Sequence, residues 1–177
     1  MTASLVYREE NPEVYYSNQS LVVVDDSTIA FLKSRAASSP RKQSRLCMHA
    51  NPSDALHQML IIHHRDVYVR PHRHLAKAES LQILEGAATV ALLDEHGGVN
   101  GAIRLADPAS GKPFFYRIPA NVVHTLRIES EWLVFMEVTS GPFVRSQTEY
   151  MAFSPDGSDV AEVDRYLKRI AKEGPAC

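Results

Sequence analysis

Residues 69–86 read Val-Arg-Pro-His-Arg-His-Leu-Ala-Lys-Ala-Glu-Ser-Leu-Gln-Ile-Leu-Glu-Gly. His72 and His74 stand two apart, so on a strand both imidazoles leave the same face. Glu79 follows after enough chain to turn into the next strand. There Glu79, Leu81 and Ile83 share one face, while Ser80 and Gln82 share the other. With the odd positions inward, Glu79 meets the two histidines inside a closed sheet. Further on, Pro119-Ala-Asn121-Val-Val-His124 offers a tight turn into a strand that begins with another histidine. Three neutral imidazoles and one carboxylate suit a divalent first-row ion. Imidazole favours Zn, Cu, Fe and Ni, and the carboxylate keeps Mn and Fe in range. Positions left open on such an ion are what metal-ion catalysis requires. The same four side chains facing one interior without an ion would be costly, because buried charge needs a partner.

Working outward, the chain from about residue 45 to 140 is punctuated as an all-β domain. The strand-like runs are 55–64, 67–74, 80–84, 88–93, 103–105, 114–118, 124–128 and 132–138. Turn signals separate them at Glu85-Gly86, Gly97-Gly98, Ser110-Gly111 and Pro119–Asn121. Short strands at this spacing argue for a sandwich or barrel. Upstream, Glu13–Tyr16 and Leu21–Val24 are β-prone, and Asp26 or Ser27 can cap a helix through about Arg35 that ends before Pro40. Downstream, Val160, Val163, Leu167 and Ile170 form an amphipathic helix stripe that Gly174-Pro175 ends. The expected organisation is one compact domain: an N-terminal extension over 1–45, a barrel over 46–155 and a helix over 156–177.

Composition narrows the classes. The chain has 177 residues, 45% hydrophobic and 23% charged, ordinary for a globular protein. Nineteen basic against 21 acidic residues give a net charge of -2, which does not suit a nucleic-acid binder. The longest apolar runs fall far short of the roughly 18 residues of a membrane span. The first residues lack the charged-then-apolar pattern of a secretion signal, so the cytoplasm is the expected compartment. Cys47 and Cys177 supply no disulfide framework and are read as reduced thiols. Six of the 8 histidines lie between His49 and His74. His63 and His64, being adjacent, must leave opposite faces of a strand. His57, His63, His64 and His96 are read as bystanders, His96 within an Asp-Glu-His-Gly-Gly turn.

His72-x-His74-x4-Glu79-x6-Gly86 resembles the first cupin motif, and Pro119-x-Asn121-x2-His124 resembles the second. Asn121 stands where that pattern usually has glycine, a residue that also tolerates the left-handed turn. Asp66 and Ile128 replace two further customary residues, neither of them a ligand. A finer resemblance is to the WbuC-type cupin fold metalloproteins. It rests on Arg45-x3-His49, Met59-Leu60-Ile61, Tyr68-Val-Arg-Pro-His-Arg-His74, Lys77-x-Glu79, Ile118-Pro-Ala, His124-Thr125 and Glu137-x3-Gly141-Pro142, across about residues 41–155. The resemblance implies a mainly β fold, a double-stranded β-helix (jelly-roll) barrel with one divalent transition metal (Zn, Fe, Mn or Ni) inside. It also implies a homodimer and a link to surface-polysaccharide, or O-antigen, metabolism.

Candidate site residues follow. His72, His74, Glu79 and His124 are the expected metal ligands. His49 and Glu137 match the family pattern and are the candidate acid/base or catalytic groups. Lys77 and Arg70 share parity with the ligands, and with Arg45 they suit an anionic group at the barrel mouth. Three functions fit: an isomerase or epimerase of a sugar or sugar phosphate, an Fe(II) dioxygenase, and a non-catalytic module binding a small molecule. The partner is in each case a small molecule, with neither nucleic acid nor membrane expected.

Overall fold

The structure is a computed structural model and describes residues 6–173. In chain order its strands are β1 (Tyr7–Asn11), β2 (Val14–Ser17), β3 (Gln43–Cys47), β4 (Leu56–His64), β5 (His72–His74), β6 (Glu79–Glu85), β7 (Ala87–Leu93), β8 (Val99–Ala106), β9 (Phe115–Ile118), β10 (Val123–Ile128), β11 (Trp132–Ser140) and β12 (Thr148–Tyr150). Two helices, α1 (Asp26–Ser38) and α2 (Val160–Glu173), flank them. A large sheet runs β1-β2-β3-β4-β11-β6-β9 and a smaller one β12-β5-β10-β7-β8. All pairings are antiparallel except β2 with β3.

The alternation of side chains sorts residues into three apolar layers. Ile61, Leu81, Ile83, Leu126, Ile128, Leu133 and Phe135 fill the space between the sheets. Leu46, Leu60, Ile62 and Val134, from the opposite parity, pack outward against Leu32 and Ala36 of α1. On the other flank Tyr166 and Ile170 of α2 pack on Ala91, Leu93, Val123 and Met151. Both outer faces are thus covered, and the two sheets enclose a closed interior.

Several local expectations need correction. The α1 cap is Asp25, whose carboxylate accepts the Thr28 N–H at 3.0 Å, and the helix continues to Ser38. Leu21–Val24 forms no strand; Leu21 and Val23 are exposed and no neighbouring strand takes up their backbone. Of 67–74 only His72–His74 is a strand, since Pro71 has no N–H to give a ladder. β1, β3 and β12 are strands that polar composition hides. Asn121 takes φ 66°, the left-handed turn geometry its side chain tolerates. Cys47 is buried; Gly174, Pro175 and Cys177 lie outside the described residues.

His63 and His64 leave opposite faces of β4. His63 turns inward, edge-on to Phe135 at 5.3 Å, and His64 turns outward to Trp132 at 4.9 Å. The His63 Nδ1 is buried with no hydrogen-bond partner, and burial holds its pKa down at about 4. An imidazole neutral in the fold but protonated on unfolding destabilises the fold as pH falls. The window opens at the unfolded value, about 6.5, and closes near 4. Between pH 7 and 5 the parent therefore loses about 2 kcal/mol more than a His63→Leu variant, measured by urea unfolding at both pH values.

Candidate metal centre

Two walls build the site. β5 lies between β10 and β12, with His72 directly opposite His124 and His74 opposite Thr148. Residues opposite each other in an antiparallel pair bring their side chains together on one face. The ring centroids of His72 and His124 are accordingly 4.5 Å apart, and those of His72 and His74 5.1 Å apart. The chain then crosses through residues 75–78 to the large sheet, where β6 begins with Glu79. Glu79, Leu81 and Ile83 are all buried, as the odd-parity reading requires. Glu79 thus faces the three imidazoles from the other wall. The Asn121 turn is tied to this framework by its N–H, which donates to the His74 carbonyl at 2.8 Å.

The histidines are held from outside and open toward the centre. Nδ1 of His72 donates to the Arg70 carbonyl at 2.8 Å, and Nδ1 of His124 donates to the Val122 carbonyl at 3.0 Å. Nδ1 of His74 lies 3.1 Å from the Thr148 hydroxyl. Such outer partners fix a ligand imidazole's tautomer and leave Nε2 as the inward donor. His74 Nε2 is 3.2 Å and His124 Nε2 3.6 Å from Glu79 Oε2. One ligand atom from each of His72, Glu79 and His124 lies within 4.8 Å of the others, a grouping that can hold a metal ion. Burial pushes the Glu79 carboxyl up, but hydrogen bonds from His124 and His74 outweigh it and hold the group well below its usual range. Burial likewise works against charge on His124, and the Glu79 carboxylate overcomes it and raises the group. Burial, with His124 next to it, drives His72 down to about 4, so this imidazole is neutral. The donor set, its tautomers and its enclosure fit a divalent transition metal.

The remaining candidates are placed unevenly. Glu137 stands on the inner face of β11, between Met59 and Leu81, one strand from Glu79. The residue is half-buried, its carboxyl is enclosed by protein, and it makes no hydrogen bond among the described residues. Burial, and then the charge of Glu79, push its pKa up to about 8 against the pull of Arg45 and Lys77. Arg45 sits on the inward parity of β3 but is exposed, and Lys77 is half-buried in the crossing loop. Neither forms an ion pair among the described residues. Arg70 is drawn elsewhere: its guanidinium donates to the Ser154 hydroxyl at 3.2 Å and the Met151 carbonyl at 3.1 Å, and stacks over Tyr150. Its backbone, not its charge, serves the site.

His49 is buried and stacks on His57 with ring centroids 4.0 Å apart; burial, with His57 adding, lowers its pKa. His57 Nε2 is buried without a partner and lies against Gly141, where a Cβ would fall 2.6 Å from it and 1.9 Å from the Asp54 carbonyl. Glycine is required there by close approach alone. His96 sits at the Asp94–Gly98 turn on the outside of the small sheet. The reading of the sequence passed over Tyr116, whose hydroxyl donates to Glu79 Oε1 at 2.6 Å. Its parity with Ile118, next to the Pro119 turn, was the available signal.

The two-sheet topology is that of a jelly-roll double-stranded β-helix, and the CapF structure shares that fold. CapF in complex with the inhibitor 3-isopropenyl-tropolone superposes with a TM-score of 0.50 at 15% identity, over 64% of this chain and 33% of CapF. Oxalate decarboxylase from Bacillus subtilis matches at 19% identity and TM-score 0.48, over 62% of this chain and 27% of that one. KdgF from Halomonas sp. matches at 17% identity and TM-score 0.45, over 62% of this chain and 86% of KdgF. The match therefore spans about a quarter of oxalate decarboxylase and a third of CapF. A family model described as a domain of unknown function, DUF6016, matches residues 24–105. No curated protein matches the sequence.

Replacing two facing imidazoles tests the cluster. Purified parent is expected to carry about one divalent ion per chain by mass spectrometry, and His72→Ala/His124→Ala almost none at an unchanged circular dichroism spectrum.

Proposed function

We propose that this chain is a cupin metalloenzyme that moves a proton on a small anionic substrate of the sugar or sugar-phosphate type. His72, His74, His124 and Glu79 would hold one divalent transition metal. Bound there, the ion supplies Lewis-acid polarisation of a substrate oxygen. The observation that carries the reading is Glu137. It is a carboxyl enclosed by protein one strand from Glu79, with no hydrogen bond of its own among the described residues.

A carboxyl whose pKa lies near neutrality can both give and take a proton, which is what an isomerase or epimerase asks of one group. Glu137 holds the proton; Met59 and Leu81 on either side of it limit the water that competes for it. Arg45 and Lys77 act on this same carboxyl from two sides and bring unpaired positive charge to the entrance. They are the residues for the substrate's anionic group. His49 takes a lesser part: it is stacked, buried and kept neutral, so it supports the wall on which Glu137 stands.

The resemblance to WbuC-type proteins supports a substrate from surface-polysaccharide metabolism in the cytoplasm. It also supports a homodimer, and the free edge offered by β1, all of whose residues are exposed, suits one. A second reading, an Fe(II) dioxygenase, draws on the same imidazole-rich donor set.

Hydrogen–deuterium exchange separates these readings. Metal-loaded parent in D2O is expected to place deuterium into at least one member of a panel of sugar phosphates and nucleotide sugars. Glu137→Gln should retain the metal and lose about 10²–10⁴-fold of the exchange rate. Oxygen uptake by the iron-loaded protein without exchange would replace the proposal with the oxygenase. Ligand binding without either reaction would replace it with a binding module.

A further inference from the structure

Among the described residues Glu79 is the carboxylate grouped with the imidazoles, and its two oxygens are treated differently. Oε2 faces His74 and His124. Oε1 accepts the Tyr116 hydroxyl at 2.6 Å. Tyr116 comes from β9, the edge strand of the large sheet, where it pairs with Leu81 while Ile118 pairs with Glu79. Its ring is packed in the interior cluster and is 7% exposed, and Glu79 is 5% exposed. Neither partner has room to turn, and a buried hydrogen bond to a charged oxygen is among the stronger ones.

We propose that Tyr116 is a positioning residue, whose hydroxyl occupies Oε1 so that Glu79 presents one oxygen, Oε2, to the metal. The inference rests on the metal reading above and deepens it. A free carboxylate can bind an ion through one oxygen or two. Using both would spend a coordination position that the substrate needs. The phenol O–H is the donor in this pair, because an ionised carboxylate oxygen can only accept. The competing, merely structural account is that the hydroxyl satisfies a buried acceptor and the ring fills the core.

Cobalt(II) distinguishes the two accounts. Parent, Tyr116→Phe, Glu79→Gln and the double variant are titrated with Co(II) against a competing chelator, and the metal's first shell is read by X-ray absorption. The parent shell is expected to contain a single carboxylate oxygen, a readout that needs no variant. Tyr116→Phe, which keeps the ring, is expected to add an oxygen to the shell and to weaken binding about 10–100-fold. In the Glu79→Gln background the same change is expected to do nothing further, since the hydroxyl acts through the carboxylate. Two carboxylate oxygens in the parent shell overturn the proposal. So does a folded Tyr116→Phe with parental affinity and spectrum, or an equal loss in both backgrounds. A folded parent that binds no Co(II) removes the metal reading itself, and the positioning role with it.

Discussion

The carboxylate of Glu79 is 5% exposed and stands between two β-sheets. An ionised carboxylate in such a place needs partners on every side, since its desolvation exceeds what hydrophobic burial nearby returns. The fold supplies them from three separate strands: His74 from β5, His124 from β10 and Tyr116 from β9, with His72 of β5 grouped beside them. Each partner depends on a register. His72 opposes His124 only if β5 and β10 pair as they do, and Tyr116 reaches Oε1 only if β9 pairs with β6 as it does. A one-residue slip of either strand would turn these side chains to the outer face. The apolar layers stabilise the barrel, and the carboxylate ties its interior to one arrangement.

The interior then divides along its length. At one end sit the imidazoles and Glu79, held from outside and facing one another. Along the large sheet stands Glu137, which makes no hydrogen bond among the described residues, with the charges of Arg45 and, from the crossing loop, Lys77 acting on it. A polar group left unpartnered inside a fold is costly, and tends to persist where a ligand or reaction uses it. Other histidines mark the remaining wall: burial keeps His63 and His49 from charging, and His57 stacks on His49.

Much of this was legible in the chain. Parity placed His72, His74 and Glu79 on converging faces, because period-two alternation survives any detail of tertiary structure. Asn121 in a left-handed turn was legible for the same local reason. The strands β1, β3 and β12 were not, because their residues are polar and their pairing is decided by neighbours distant in sequence. Arg70 shows the limit of parity: Pro71 interrupts the strand, and segment 151–154, remote in the chain, captures the guanidinium. Tyr116 lay within reach of a parity argument, but nothing in the sequence says which residue its hydroxyl meets. That knowledge requires the two sheets to be placed face to face.

The most direct test of the account is crystallographic. Crystals of metal-loaded protein, measured at the absorption edge of the bound element, report where the ion sits through its anomalous signal. The account predicts one peak within coordination distance of the inward nitrogens of His72, His74 and His124 and of Glu79 Oε2. A peak elsewhere, or a loaded protein whose barrel interior shows none, would contradict it.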